Sequence, residues 1–153
     1  MRNRIPPPIL TILTIVAIAV ICSADYFAPM EARSLGIVKG IAAIFFVIGL
    51  GMLLWAGLLF KTNKTTVNPF KPQKTSAIVG TGPYRFTRNP MYLGMALLIV
   101  SAGLFWTHWA ALPVIVVFIA YMTHAQIKPE ERALLETFSD DYAGYMQKVR
   151  RWL

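Results

Sequence analysis

Four long apolar runs, separated by short polar segments, dominate the pattern of this chain. They extend from about residue 9 to 28, 35 to 60, 91 to 106 and 110 to 127. A helix needs about 20 apolar residues to cross a bilayer, so the first two runs are long enough and the last two are near the lower limit. The pattern predicts an all-α integral membrane protein with about four transmembrane helices, forming a single membrane domain over residues 1–153.

The links between the runs suggest how the helices pack. Only Trp106-Thr-His-Trp109 joins the third and fourth runs, which predicts an antiparallel helical hairpin with its tryptophans at the membrane interface. His108 in this turn is expected to face solvent. The second run contains five glycines, which allow close helix contacts. They are Gly36, Gly40, Gly49, Gly51 and Gly57.

The positions of the basic residues predict an orientation. They concentrate at the amino end, in residues 61–90 and in the tail, whereas the other two loops have no basic excess. The basic residues concerned are Arg2, Arg4, Lys61, Lys64, Lys71, Lys74, Arg85, Arg88, Lys128, Arg132, Lys148, Arg150 and Arg151. Because cytoplasmic loops carry an excess of Lys and Arg, we expect both termini and residues 61–90 to be cytoplasmic, at a cell inner membrane or an endoplasmic-reticulum-type membrane.

The tail after Pro129 has a different pattern. Apolar residues recur there at spacings of three and four, which is typical of one face of a helix. They are Leu135, Phe138, Tyr142, Tyr145, Val149 and Trp152. We predict a cytoplasmic amphipathic region over residues 129–153, either one helix or two short helices that meet near Ser139-Asp140.

Composition narrows the class of protein. The chain is 56% hydrophobic and 14% charged, with a formal charge of +8. A soluble domain of this size could not bury so much apolar surface. The basic residues flank apolar runs, so we expect contact with anionic lipid and not with nucleic acid. The single cysteine, Cys22, excludes an internal disulfide and a cysteine-rich metal site, and no metal is predicted.

Two polar motifs border the predicted hairpin. Gly80-Thr-Gly-Pro-Tyr-Arg-Phe-Thr-Arg-Asn-Pro-Met-Tyr-Leu-Gly94 precedes it and Pro129-Glu-Glu131 follows it, so the hairpin returns them to one membrane face. Glycines let backbone N–H groups approach a ligand, and arginines offer forked donors to a carboxylate. A glutamate can accept bonds from ribose hydroxyls or pair with an ammonium. S-adenosylmethionine presents all these groups together, whereas NADPH would suit the basic residues through its phosphates.

We therefore expect a cofactor pocket made from both motifs. The candidate cofactor-binding residues are Gly80, Gly82, Pro83, Tyr84, Arg88, Asn89, Pro90, Tyr92, Glu130 and Glu131. The candidate catalytic residues are Arg85, Arg88, Asn89 and His124. One of the two glutamates is expected to bind the cofactor while the other pairs with a basic residue, and Glu131→Gln is expected to weaken cofactor binding without unfolding the bundle. His124 has two interpretations, a pocket wall or proton acceptor, and an interfacial histidine bonded to a backbone carbonyl.

These two motifs resemble the paired signatures of integral-membrane methyltransferases. This group includes isoprenylcysteine carboxyl methyltransferase and phospholipid N-methyltransferase. The resemblance covers roughly residues 60–153 and includes Val149-Arg-Arg-Trp152. It implies that Gly80, Gly82 and residues 88–92 line a pocket for S-adenosyl-L-methionine, which the paired glutamates close. Asn89 stands where the carboxyl methyltransferases usually have His, and an amide does not titrate near neutral pH.

The predicted function is S-adenosylmethionine-dependent methyl transfer to a lipophilic acceptor at the cytoplasmic membrane face. The acceptor would be a carboxylate such as prenylcysteine, or a lipid amine or thiol, and its identity and the oligomeric state are left open. Two alternatives remain. The carboxyl-terminal regions of membrane sterol reductases resemble the same pattern, which would make the chain an NADPH-dependent reductase. A non-enzymatic lipid-binding or accessory membrane protein is the other.

Overall fold

A computed structural model describes residues 5–24, 35–62 and 80–153, and these ranges are helical with no strand. The fold class predicted from the pattern is thus confirmed as all-α for the described part of the chain. The elements in order are α1 (Pro7–Ser23), α2 (Leu35–Thr62), a 3₁₀ turn (Gly82–Arg85), α3 (Pro90–Phe105), α4 (Ala111–Tyr121), a π-helical turn (Met122–Ile127) and α5 (Lys128–Lys148). The amino-terminal arginines and Lys64, Lys71 and Lys74 lie outside the described residues.

Helix α3 lies at the centre of the bundle and packs against α1, α2 and α4. It begins at Pro90, where the missing N–H of proline leaves no helical hydrogen bond unmade. Most of its length is buried, and its side chains join residues of α1 and α4 in one apolar core. The buried members of that core are Ile18, Cys22, Tyr92, Met95, Ala96, Ile99, Ala111, Phe118, Met122 and Ile127.

The closest approach of α2 and α3 lies at Gly49 and Gly94. A Cβ atom on Gly49 would lie 2.9 Å from the carbonyl oxygen of Gly94, and one on Gly94 would lie 2.8 Å from that of Gly49. Gly36 and Gly40, by contrast, have open space around them. The glycine contact between these helices therefore involves the middle of the second run and not its start.

Two of the helices are long and apolar enough to cross a membrane. They are Gly36–Leu59 and the continuous helix that starts at Ala111. Helices α1 and α3 have 17 and 16 residues, so a total of four spans stays a prediction. Large apolar side chains are exposed on the outer faces of α1, α2 and α4, including Ile12, Val47 and Val117. Extended apolar surfaces of this kind mark a membrane or a partner.

The turn between α3 and α4 corrects one expectation. His108 is only 4% exposed, so the prediction that it faces solvent is wrong. Thr107 takes a positive φ of 50°, and the Ala110 N–H donates to Nδ1 of His108 at 3.4 Å. The turn thus folds the imidazole inward, and Trp106 and Trp109 occupy the exposed positions instead.

Helix α5 bends at Ser139, whose φ of 41° and ψ of −114° are not helical. This is where two short helices were expected to meet. The apolar residues of the predicted stripe are buried or half-buried, and Glu136, Asp141 and Lys148 are exposed. Beyond Lys148 the chain turns extended at Val149 and runs back toward the turn before α3. Residues 149–153 are called the C-terminal strap below.

Candidate functional site

A buried ion cluster joins the two motifs. One oxygen of Glu131 lies 2.9 Å from Nη2 of Arg88, and the other lies 2.7 Å from Nη2 of Arg151. Arg151 Nε also donates to Glu131, at 3.1 and 3.2 Å to its two oxygens. The Arg88 and Glu131 side chains are each 7% exposed, whereas that of Arg151 is 33% exposed. A carboxylate buried this deeply needs such partners, because an unpaired buried charge is strongly destabilising.

Residues 82–89, which comprise the 3₁₀ turn and the link to α3, present Arg88 to this cluster and are called the turn before α3. Gly82 has a φ of 59°, which favours glycine, and a Cβ there would lie 2.6 Å from the Leu59 side chain and 3.3 Å from Trp55. Both Phe86 and Thr87 donate backbone N–H bonds to the Pro83 carbonyl. The turn is therefore closed on itself and packed tightly against the end of α2.

The C-terminal strap crosses this turn and is bonded to it along its length. The Arg88 N–H donates to the Arg150 carbonyl at 2.9 Å. The Arg151 carbonyl accepts from Asn89 Nδ2 at 2.9 Å and from the Thr87 hydroxyl at 3.2 Å. Trp152 Nε1 donates to the Thr123 hydroxyl at 3.1 Å. These bonds place the strap between the turn before α3 and the end of α4.

Glu130 forms a second polar contact beside the cluster. The Tyr92 hydroxyl donates to Glu130 Oε2 at 2.9 Å. Burial raises the pKa of the Glu130 carboxyl to about 7; the Tyr92 hydrogen bond lowers this pKa and the charge of Glu131 raises it. Glu130 can therefore change charge near neutral pH, whereas the ordinary glutamate pKa lies near 4.5.

Three tyrosines surround the two carboxylates as neutral groups. The Tyr145 hydroxyl donates to the Tyr84 carbonyl at 2.7 Å. Burial raises the pKa of Tyr145 to about 12 and raises those of Tyr84 and Tyr142 as well. At neutral pH all three keep their hydroxyl protons, so they can act as hydrogen-bond donors and not as bases.

The predicted site residues divide into two groups. Arg88, Asn89, Tyr92, Glu130 and Glu131 come together around the cluster, as the hairpin argument expected. Tyr84 contributes its carbonyl to Tyr145, Pro83 is fully buried in the 3₁₀ turn, and Pro90 is fully buried at the start of α3.

The other predicted residues lie apart from the cluster. Arg85 and Gly80 are exposed. His124 is also exposed, with its Nδ1 atom 3.4 Å from the Lys128 ammonium. Catalytic roles for Arg85 and His124 stay predictions, and their positions give them no contact with Glu131 or Glu130 among the described residues.

Sequence reasoning missed the ion pair of Arg151 in the cluster and the hydrogen bond of Thr87 to the strap. Arg151 was counted among the basic residues that set orientation and within the Val149-Arg-Arg-Trp152 segment of the resemblance, but not as a site residue. One signal was available. If only Arg88 faced the two adjacent glutamates, a buried carboxylate would lack partners, and this indicates the need for a second basic residue. Thr87 carried no comparable signal, since its role comes from the path of the strap.

The side chains of the cluster and Glu130 can bind a ligand that carries both a positively and a negatively charged group. Nε of Arg88 is buried and forms no hydrogen bond within the part of the chain described here. Leaving a buried donor unpaired costs about 1–3 kcal/mol, so this atom is suited to a ligand acceptor group. Two guanidiniums share one ionised carboxylate, and Glu130 adds a negative charge when it ionises. No cluster of three or more metal-binding side chains occurs in the described ranges.

Comparison with known proteins gives two findings. The family model described as phospholipid methyltransferase matches residues 37–141, which include α2, α3, α4 and both glutamates. A protein of Haemophilus influenzae described as an uncharacterized protein is 37% identical in an alignment of 67 residues that covers 41% of this chain and 100% of that protein.

Proposed function

Because the chain belongs to the phospholipid methyltransferase family, we propose that it transfers a methyl group from S-adenosylmethionine to a lipophilic acceptor at the membrane. Family membership supports methyl transfer, and the apolar helices support an acceptor drawn from the bilayer. The observation that carries the cofactor assignment is the pairing of the Arg88–Glu131–Arg151 cluster with the Glu130–Tyr92 contact.

These residues fit the cofactor's polar groups. The unbonded, buried Nε of Arg88 suits its carboxylate. Glu130 is a half-buried acceptor with no cation in contact among the described residues, and it suits the cofactor's ammonium. Glu131 is already held by two arginines, so its role is to position Arg88 and Arg151. Of the two glutamates, Glu130 is thus the better candidate for cofactor binding and Glu131 for pairing with a basic residue.

The remaining roles follow from what each residue contacts. S-adenosylmethionine, when bound, supplies a methyl group already activated by a sulfonium. The protein's contribution is then to hold the reactants in line and to exclude water. Arg88 and Glu130 bind and orient, Tyr92 fixes the Glu130 carboxylate, and the C-terminal strap covers the turn that carries Arg88.

Calorimetric titration of the purified protein in detergent tests this proposal. We expect saturable binding of S-adenosylmethionine and none of NADPH, with an affinity that falls about tenfold or more in Glu130→Gln, because a charged contact is lost. Glu136→Gln is the matched control, since Glu136 is an exposed glutamate of the same helix.

Each other outcome has a definite meaning. Binding of NADPH alone would favour the reductase alternative. A folded protein that binds neither ligand would favour an accessory role. An equal loss of affinity in Glu130→Gln and Glu136→Gln would contradict the role assigned to Glu130.

A further inference from the structure

An apolar groove of about 370 Å³ lies between α2, α3 and the turn before α3. One wall is a stripe of α2 with the helical spacing of four and three, formed by Ile48, Met52 and Trp55. Leu93 and Leu97 of α3 form the other wall, and Leu153 of the C-terminal strap borders it. The volume lies at the lower end of the range of ligand pockets, about 300–1,000 Å³. The lining surface is wholly apolar.

The groove opens on the outer side of α2, which the bilayer would surround. Ile48 and Trp55 are about half exposed, and they belong to the helix that is long and apolar enough to cross a membrane. A polar ligand would gain no hydrogen bond from such a surface and would lose its hydration. The occupant that fits is therefore a hydrocarbon chain that enters sideways from the membrane.

One end of the groove reaches the site. Pro83 and Thr87 of the turn before α3 line it, and Thr87 donates to the Arg151 carbonyl and accepts from the Asn89 N–H. Leu93 in the wall directly follows Tyr92, the partner of Glu130. A chain in the groove would thus have its head next to Arg88 and its tail along α2. From Ile48 to Trp55 the wall measures about 10 Å along the helix axis.

We propose that this groove binds the aliphatic chain of the methyl acceptor and so directs its head to the cluster. The inference rests on the proposed function for the identity of the occupant, but the groove itself is independent of the cofactor. It implies an acceptor with an aliphatic chain and a polar head. Bulk membrane lipid is the competing occupant, and it would exchange without saturation.

Photolabelling with two probes tests the groove. The probes are dodecylamine and dodecanoate, each with a diazirine at the far end of the chain, applied to the protein in nanodiscs and mapped by mass spectrometry. We expect saturable labelling of the α2 and α3 walls that unlabelled dodecyl amphiphile displaces. A head preference between amine and carboxylate would identify the acceptor class.

Groove-filling variants provide the specificity control. Met52→Trp and Ile48→Trp should reduce the apparent probe affinity about tenfold. Leu54→Trp is the matched control, because Leu54 lies on the same helix, is 59% exposed and lies outside the groove lining. All three variants should bind S-adenosylmethionine with the affinity of the parent, which shows that they are folded.

The outcomes separate the two proposals. Labelling that does not saturate, or that is equally weakened by Leu54→Trp, would overturn the groove as a specific site. Saturable labelling in a protein that binds no S-adenosylmethionine would support the groove and would overturn methyl transfer instead.

Discussion

The guanidinium of Arg151 binds the carboxylate of Glu131 through Nε and Nη2, across 20 residues of chain. Arg88 binds the same carboxylate from the opposite motif. The ion pair therefore connects the C-terminal strap, the start of α5 and the turn before α3, and the carbonyl of Arg151 adds two further bonds to that turn. One carboxylate thus fixes three segments that are distant in sequence.

Arg151→Met should destabilise the protein by about 1.5–3 kcal/mol, because a charged hydrogen-bond partner of a buried carboxylate is removed while Arg88 remains. Thermal unfolding in detergent measures this effect. Arg150→Met is the control, since the Arg150 side chain is exposed and only its carbonyl is bonded in the described structure. Equal unfolding temperatures for the two variants would show that the Arg151 ion pair adds nothing to stability.

Gly94→Ala and Gly49→Ala should each destabilise the bundle by about 1–3 kcal/mol, since a methyl group must push the α2 and α3 backbones apart. Gly51→Ala, two residues along α2 with open space around it, should have no such cost. Chemical denaturation in mixed micelles compares the three. A Gly51 variant as unstable as the other two would indicate a general effect of replacing glycine in α2.

The affinity for S-adenosylmethionine should rise with pH up to about 7 and then level off. The raised pKa of Glu130 means that its carboxyl is protonated below this pH and cannot pair with a cation. Calorimetry between about pH 5.5 and 8.5 measures the profile. Glu130→Gln should flatten it, and a profile unchanged by that variant would assign the titration to another group.

The stability of the ligand-free protein should change with pH in the opposite direction. The folded-state pKa of Glu130 lies above its ordinary value of 4.5, so the folded protein holds this proton more tightly than the unfolded chain. The resulting stabilisation is fully present below about pH 4.5 and is lost as pH rises through about 7. Comparing unfolding temperatures of the parent and Glu130→Gln across this window isolates the contribution, and parallel curves would contradict it.

Tyr92→Phe should move the affinity profile to higher pH. The Tyr92 hydroxyl donates to Glu130 and lowers its pKa, so removing the hydroxyl lets that pKa rise further. The midpoint of the calorimetric profile is the readout. Tyr145→Phe is the control, because its hydroxyl donates to the Tyr84 carbonyl and not to a carboxylate; a shift of equal size in this variant would contradict the assignment.

The sequence was sufficient for features that depend on local pattern. Apolar runs located the helices of the described ranges, and the short link predicted that Arg88, Tyr92 and the two glutamates would meet. The different partners of Glu130 and Glu131 were not predictable, because they depend on which side of α5 faces Arg88 and the strap. Likewise, the choice of Gly49 over Gly36 depends on where α2 crosses α3, and His108 is buried by a turn whose shape no periodicity encodes.

The π-helical turn Met122–Ile127 affects how α5 and its two glutamates are rotated about the helix axis relative to α4. A π turn accommodates one residue more than an α turn, and each residue of an α-helix advances by about 100°. If the same residues formed a regular α-helix here, Glu130 and Glu131 would be rotated by about that angle relative to α4, whereas removing one residue would leave them on their present side. The π turn therefore determines the side of α5 on which the two glutamates lie relative to the exposed apolar side of α4.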